Sequence, residues 1–351
     1  MTCRICGCDG LEPLGVDAFL FPGTSSAPDF HQYENFICPG CGVVSGLPEP
    51  TDEALTEHYN SAYRISRDAV EIGGNLVDTP IDLTVGGRSL SRVRNFHDMV
   101  TNNQQNYPDI VPTKDNLVID FGAYQGMFLH GVKELWNCHC LAYDYSKAGI
   151  AFAQTFLGFD RSRVAQDIYT DTFDKKARFA TMIHALEHFR EPVRFLQHLR
   201  DDILTENGYL YIEVPNLYGI ALCEPVHFFT YTTESLQHLL NLSGFEVLDI
   251  CTSGYPVVEE FTAHNNEQNI ICMAKPANTA TTAVITKPNL AVIRRQLRAS
   301  YAKHSRATIT KQFRKAVHEA VKFFYYLTFA GFLDSLSSSL SKWLAQRLGR
   351  R

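Results

Sequence analysis

The chain has 351 residues, 45% of them hydrophobic and 20% charged, with a formal net charge of −6. That composition is too apolar for a disordered chain, and the length accommodates two or three globular domains. No uninterrupted apolar run approaches the roughly 20 residues that cross a bilayer, and the first residues are polar and cysteine-bearing, with no apolar signal core. Ten cysteines in such a chain suit a reducing, cytoplasmic compartment.

The first element is metal-like. Cys3 and Cys6 in CRICG, with Cys38 and Cys41 in CPGCG, make two C-x-x-C knuckles separated by 31 residues. Four thiolates so spaced are the signature of one structural Zn2+, a closed site without an open position for substrate. Gly7 and Gly42 follow the second cysteine of each knuckle, and a glycine there permits the tight turn that aims both sulfurs at one metal. A thioredoxin-like redox role would instead need one pair after a strand. Cys8 is a spare thiol, while Cys138, Cys140, Cys223, Cys251 and Cys272 read as reduced core residues.

Further along, in NLVIDFGAYQGMFL, an apolar run at residues 117–119 ends in Asp120. Gly122 and Gly126 follow, and then an apolar helix start. Strand, glycine loop and helix together offer free backbone N–H groups to a nucleotide-like ligand. The next strand, CHCLAYDYS, ends in Asp144, 24 residues after Asp120, where α/β nucleotide folds bond a ribose diol. Asp167 in RVAQDIYTDTF, the block ATMIHALEHFREPVRFL and the strand GYLYIEVPN complete the series. A dinucleotide fingerprint needs three glycines, and here Tyr124 and Gln125 separate only two; no Gly-Lys-Ser/Thr follows to make a P-loop. His184-x-x-Glu187-His188 spells the pentad of inverted zinc metallopeptidases, which must lie on one helix. Residues 179–183 read as a buried strand running into His184, and Pro192 suits the first turn of a new helix. The pentad should therefore span a strand end and a loop.

In this order the blocks resemble the class I S-adenosyl-L-methionine-dependent methyltransferases, whose first motif runs acid-x-Gly-x-x-x-Gly, over residues 90–275. The resemblance implies a Rossmann-like doubly wound α/β sheet. It also implies S-adenosyl-L-methionine held by Asp120, Gly122, Gly126, Asp144 and Tyr145, with Asp167 near the adenine and His184 near the methionine end. A zinc module directly before such a core is similar to the sugar C-methyltransferases and their relatives in polysaccharide and natural-product pathways. In that group the connector packs over the active site with paired tyrosines, which implies a substrate role for Tyr59 and Tyr63. The histidine of the His227-Phe228 pair is the general base implied there, and imidazole suits proton removal near neutrality. An acid precedes that histidine in the group; here Val226 does, and Glu224 is the nearest replacement. The implied organisation is a zinc module at 1–60, a connector at 61–90, the methyltransferase core at 91–276, a linker at 277–289 and a helical tail at 290–351.

The sugar enzymes continue into a further α/β domain, whereas this chain turns into the tail, so O-methylation of a sugar stands beside C-methylation. Residues 289–351 carry thirteen Lys and Arg against Glu319 and Asp334, a net of +11, around the apolar run FFYYLTFAGFL. That pattern suits an interfacial helix at an anionic membrane face, or packing on the core or a second subunit. An RNA-modifying methyltransferase is the rival enzyme, and a non-catalytic S-adenosyl-L-methionine-binding scaffold the rival class. Against nucleic acid, the remainder of the chain is acidic, and Arg4, with Arg64 in the connector, is the basic content of the zinc region.

Overall fold

Alternating apolar side chains build the central sheet. In β4 (Leu117–Phe121), Leu117, Ile119 and Phe121 enter one buried cluster and Val118 enters the other, the period-two pattern of a strand covered on both faces. The computed structural model describes residues 1–15, 34–55, 88–219, 226–253, 268–277 and 287–299. Within them β4 is joined by β5 (His139–Asp144), β6 (Arg163–Val164), β7 (Ala177–Ile183), β8 (Leu204–Pro215), β9 (Phe245–Ser253) and β10 (Asn269–Pro276). The seven strands lie in the order β6-β5-β4-β7-β8-β10-β9. The five from β6 to β8 are parallel, and β10 runs antiparallel to both its neighbours. This is the doubly wound, Rossmann-like sheet expected from the motif order.

Helices α1 (Arg88–Asn103), α2 (Met127–Trp136) and α3 (Lys147–Leu157) cover one face. Phe96 on α1 is their hub, with ring contacts to Phe128, Trp136, Phe179 and Tyr211. Helices α4 (Pro192–His198) and α5 (Thr233–Leu242) cover the other face through Phe195, Leu196, Leu236, Leu239 and Leu240. Local chemistry sets their ends. Ser146 caps α3 by accepting the Gly149 N–H, Pro192 occupies the first turn of α4, and Thr232 and Ser235 form a capping box on α5.

The chain leaves β4 toward β5 and β6 on one side and returns through β7 on the other. The crevice beyond the carboxyl ends of β4 and β7 is therefore the topological switch point, where open α/β sheets bind ligands.

The amino-terminal segment forms a three-stranded antiparallel sheet of β1 (Glu12–Pro13), β2 (Glu34–Ile37) and β3 (Val44–Leu47). It is fastened to the core by reciprocal backbone bonds between Val44 and Thr230, at 3.1 and 2.9 Å. Arg190 adds an ion pair to Asp52 at 2.7 Å and a bond to the Pro50 carbonyl at 3.0 Å. A helix over residues 290–299 buries Ile293 and Leu297 against Leu14, Ile37, Val44 and Leu217, and its Arg294 pairs with Glu12 at 2.9 Å. Residues 1–298 form one compact unit. The tail beyond residue 299 and the connector at 56–87 lie outside the described residues. Among the described residues no helix is long and apolar enough to cross a membrane.

Candidate active site

Three left-handed residues shape the loop after β4: Gly122 at φ 81°, Tyr124 at 47° and Gly126 at 76°. Tyr124 thus carries a side chain in a conformation that costs an ordinary residue roughly 1–2 kcal/mol. Two contacts hold it there. Its N–H donates to the Asp144 carboxylate at 2.9 Å, and helix α3 presents Gly149 against it, where a Cβ would come within 2.7 Å of the Tyr124 carbonyl oxygen. A Cβ at Gly122 would meet Ala185 at 2.8 Å, so the close approach of the loop to the end of β7 requires glycine.

Asp144 also accepts the Ser146 N–H at 2.7 Å. A carboxylate has about four lone-pair sites, so two backbone bonds leave acceptor capacity for a ribose diol. Helix α2 starts at Gly126 without a side-chain cap, which leaves its first-turn N–H groups available to a carboxylate or similar anion. Tyr145 follows Asp144 and is exposed. Asp167 closes a turn by accepting the Tyr169 N–H at 2.9 Å and the Thr170 hydroxyl at 3.0 Å. The loop conformation and its acceptors fit an adenosine-containing ligand.

Asp120 lies beneath this loop, 2% exposed, and accepts the Thr181 hydroxyl at 2.7 Å from the neighbouring strand. Burial pushes its carboxyl up to about 7, against the Thr181 bond and the Arg92 charge, with Asp144 adding to the rise.

At the end of β7 the pentad departs from helical geometry. His184 has φ 52°, and only residues Leu186–His188 form a single 3-10 turn before α4 begins at Pro192. His184 bridges two buried carboxylates, with Nδ1 3.5 Å from Glu187 Oε1 and Nε2 3.4 Å from Glu213 Oε1. Glu213, on β8, also faces Arg92 and Asn95 of α1 at 3.6 and 3.4 Å. Burial works to raise the carboxyls of Glu187 and Glu213. The close approach of His184 and the neighbouring charged groups outweigh it, leaving Glu213 lowered and Glu187 at about 2.

His188 packs edge-on against His227, ring centroids 4.7 Å apart at 76°. Glu187, His188 and His227 bring one ligand atom each within 4.8 Å of one another. Among the described residues the carboxylate beside His227 is thus Glu187. Glu224, Tyr59 and Tyr63 lie outside the described residues. An acid within the apolar strand YLYIEVP was the available signal for Glu213; Gly149 and Thr181 carry none that a single chain displays.

The four knuckle cysteines converge. Cys3 and Cys41 have their sulfurs 3.7 Å apart, Cys6 and Cys38 3.5 Å, and all four lie within 4.8 Å of one another. Zn–S bonds of about 2.3 Å in a tetrahedron place sulfurs about 3.8 Å apart. Gly7 and Gly42 take φ 70° and 75°, and each donates its N–H at 2.9 Å to the carbonyl of the first cysteine of its knuckle. Cys8 is outside the four, its thiol turned to the Asp9 carbonyl at 3.4 Å.

Residues 96–250 match the family model described as a methyltransferase domain. The chain carries a methyltransferase domain. Solved structures of similar fold include the Burkholderia thailandensis 1,6-didemethyltoxoflavin-N1-methyltransferase with its substrate and S-adenosylhomocysteine, at 13% identity, TM-score 0.46, 75% of this chain and 100% of that one. A Clostridium acetobutylicum S-adenosylmethionine-dependent methyltransferase aligns at 12% identity, TM-score 0.42, 63% of this chain and 99% of that one. The [4+2]-cyclase SpnF aligns at 15% identity, TM-score 0.48, 66% of this chain and 99% of that one. No curated protein sequence matches the chain.

The raised Asp120 carboxyl yields a signed prediction. A folded-state value near 7, against 3.8 ordinarily, favours the fold while the group is neutral. That advantage is lost progressively as pH climbs from 3.8 through about 7, at a cost on the order of 4 kcal/mol once ionisation is complete. Asp120→Asn should therefore stabilise the ligand-free protein relative to the parent, by a margin that widens from pH 5 to pH 8 in urea unfolding. A margin independent of pH would show that the group is not held neutral.

Proposed function

We propose that the chain transfers the methyl group of S-adenosyl-L-methionine to a sugar or glycan intermediate, on oxygen or carbon, in polysaccharide or natural-product biosynthesis. The observation that carries the reading is the juxtaposition, at the carboxyl ends of β4, β5 and β7, of the glycine loop with Asp144 and of the Glu187-His188-His227 cluster.

S-adenosyl-L-methionine, when bound, supplies an electrophilic methyl on a cationic sulfur that departs as a neutral thioether. The chain's own residues bind and align. Gly122 and Gly126 admit close backbone approach, and Asp144 takes the ribose diol. Tyr145 and Asp167 border the adenine, with His184 at the methionine end and Asp120 supporting the loop from below. His227 activates the nucleophile by removing its proton, with Glu187 as the companion carboxylate beside it and Glu224 upstream. Alignment of the nucleophile with the methyl group lowers the barrier further. Tyr59 and Tyr63, in the connector, complete the substrate side.

The amino-terminal cysteines hold one structural Zn2+ through Cys3, Cys6, Cys38 and Cys41, supported by the sulfur separations and the paired glycine turns. In this reading the module is a brace for the segment that carries His227, through the Val44–Thr230 pairing.

Calorimetric titration with S-adenosylhomocysteine tests the cofactor site. Binding by the parent protein should fall at least roughly tenfold in Asp144→Ala, about the worth of one charge-assisted hydrogen bond. Undiminished binding would remove Asp144 from the site. Metal analysis should give about one zinc per chain, and Cys38→Ser should lower the melting temperature, because the metal supplies folding energy directly. A fully folded, zinc-free protein would refute the module. Labelled methyl donor with a panel of nucleotide sugars, glycolipids and RNA should label a sugar acceptor and lose that labelling in His227→Ala. Transfer to RNA alone would overturn the substrate class.

A further inference from the structure

Besides the cysteines, the described residues hold a second cluster with metal-ligand chemistry. We propose that Glu187, His188 and His227 bind one divalent transition-metal cation, and that this cation receives two adjacent oxygens of the substrate. The substrate half of the proposal rests on the sugar-methylation reading above; the cation half stands on the geometry alone.

Two imidazoles and one carboxylate, all within 4.8 Å of one another, make a three-ligand set that leaves positions open on a cation. Such mixed nitrogen and oxygen donors suit Mn2+, Fe2+, Co2+ or Zn2+. The second observation concerns Glu187. Its side chain is fully buried, and neither carboxylate oxygen has a hydrogen bond among the described residues. The nearest imidazole nitrogens stand at 3.5 Å, His184 Nδ1, and 3.9 Å, His188 Nε2. A buried carboxylate is costly without close partners, and an ion is one of the standard reasons for such a group.

The third observation is the orientation of His188. Its Nδ1 lies 3.0 Å from the Val226 carbonyl, which can only accept, so that nitrogen carries the hydrogen. In the neutral ring Nε2 then carries the lone pair. Metal-binding histidines are typically oriented in this way, one nitrogen donating to a carbonyl and the other coordinating the ion. The Glu187 carbonyl accepts the Phe228 N–H at 2.8 Å, tying the first ligand segment to the residue after His227.

The ligand set differs from that of a zinc peptidase, in which both histidines of the pentad would bind. Here His184 turns toward Glu213 instead. A cation at Glu187, His188 and His227 would take a vicinal diol or an α-hydroxy carbonyl through its open positions. It would lower the pKa of the bound hydroxyl, whose proton passes to solvent. His227 would then act as a ligand that presents the activated oxygen, and O-methylation becomes the favoured outcome.

The test uses full-length protein carrying its cysteine-bound metal, titrated with MnCl2 in the presence of S-adenosylhomocysteine. Free Mn2+ is followed by its electron paramagnetic resonance signal. One saturable Mn2+ site per chain is expected, with affinity reduced roughly tenfold or more in Glu187→Gln and in His188→Ala. Should Glu187→Gln fail to fold by thermal melt, His188→Ala, at the more exposed ligand, reads the same quantity. Absence of saturable Mn2+ binding, or affinity that both variants leave unchanged, overturns the proposal and makes the histidines alone the partners of Glu187. Calorimetry on the same samples separates the two readings. Protein that binds Mn2+ through Glu187 but not S-adenosylhomocysteine supports the cation site while removing the methyl-transfer reading.

Discussion

The buried carboxylate of Glu187 is the constraint on which the loops at the carboxyl ends of the strands depend. Its backbone carbonyl holds the segment at Phe228 and Phe229, and its side chain faces His184 and His188. The residues next in line, Thr230 and Tyr231, join the amino-terminal sheet at Val44 and the core at Leu217. One acid therefore links the end of β7, the segment bearing His227 and, at one remove, the cysteine knuckles. A negative charge kept from water needs positive or polar partners close by, and three histidines are gathered around it. The same electrostatics that holds the loops together gathers these side chains.

The cofactor side rests on a different balance. Tyr124 occupies a left-handed position that glycine would take without strain, and the loop keeps its shape because Asp144 and Gly149 both enforce it. Strain at one residue is tolerated where neighbouring contacts over-determine the backbone. Asp144 thus has two tasks: it closes the loop through main-chain bonds, and it retains acceptor sites for a ligand.

Much of this was legible in the residues. The knuckle spacing with Gly7 and Gly42, the strand running into Asp120, the two loop glycines and Pro192 after the pentad all act over a few residues, where local geometry decides the outcome. The non-helical pentad was legible for the same reason. The partner of His227 was not. The nearest acid in sequence is Glu224, outside the described residues; among those described, Glu187, forty positions upstream, is brought beside it. Glu213 and Arg92 likewise meet only because α1 packs across β8, and the helix at 290–299 closes on the amino-terminal sheet across most of the chain.

The sequence by itself determined the order of strands and helices, the glycine turns and the four convergent thiols, because periodicity, φ preferences and ligand spacing are properties of short segments. Tertiary structure alone decided which charged groups face one another. Burial changes the energy of a charge far more than its sequence neighbours do, and which carboxylates and imidazoles are buried together is set by how distant elements pack.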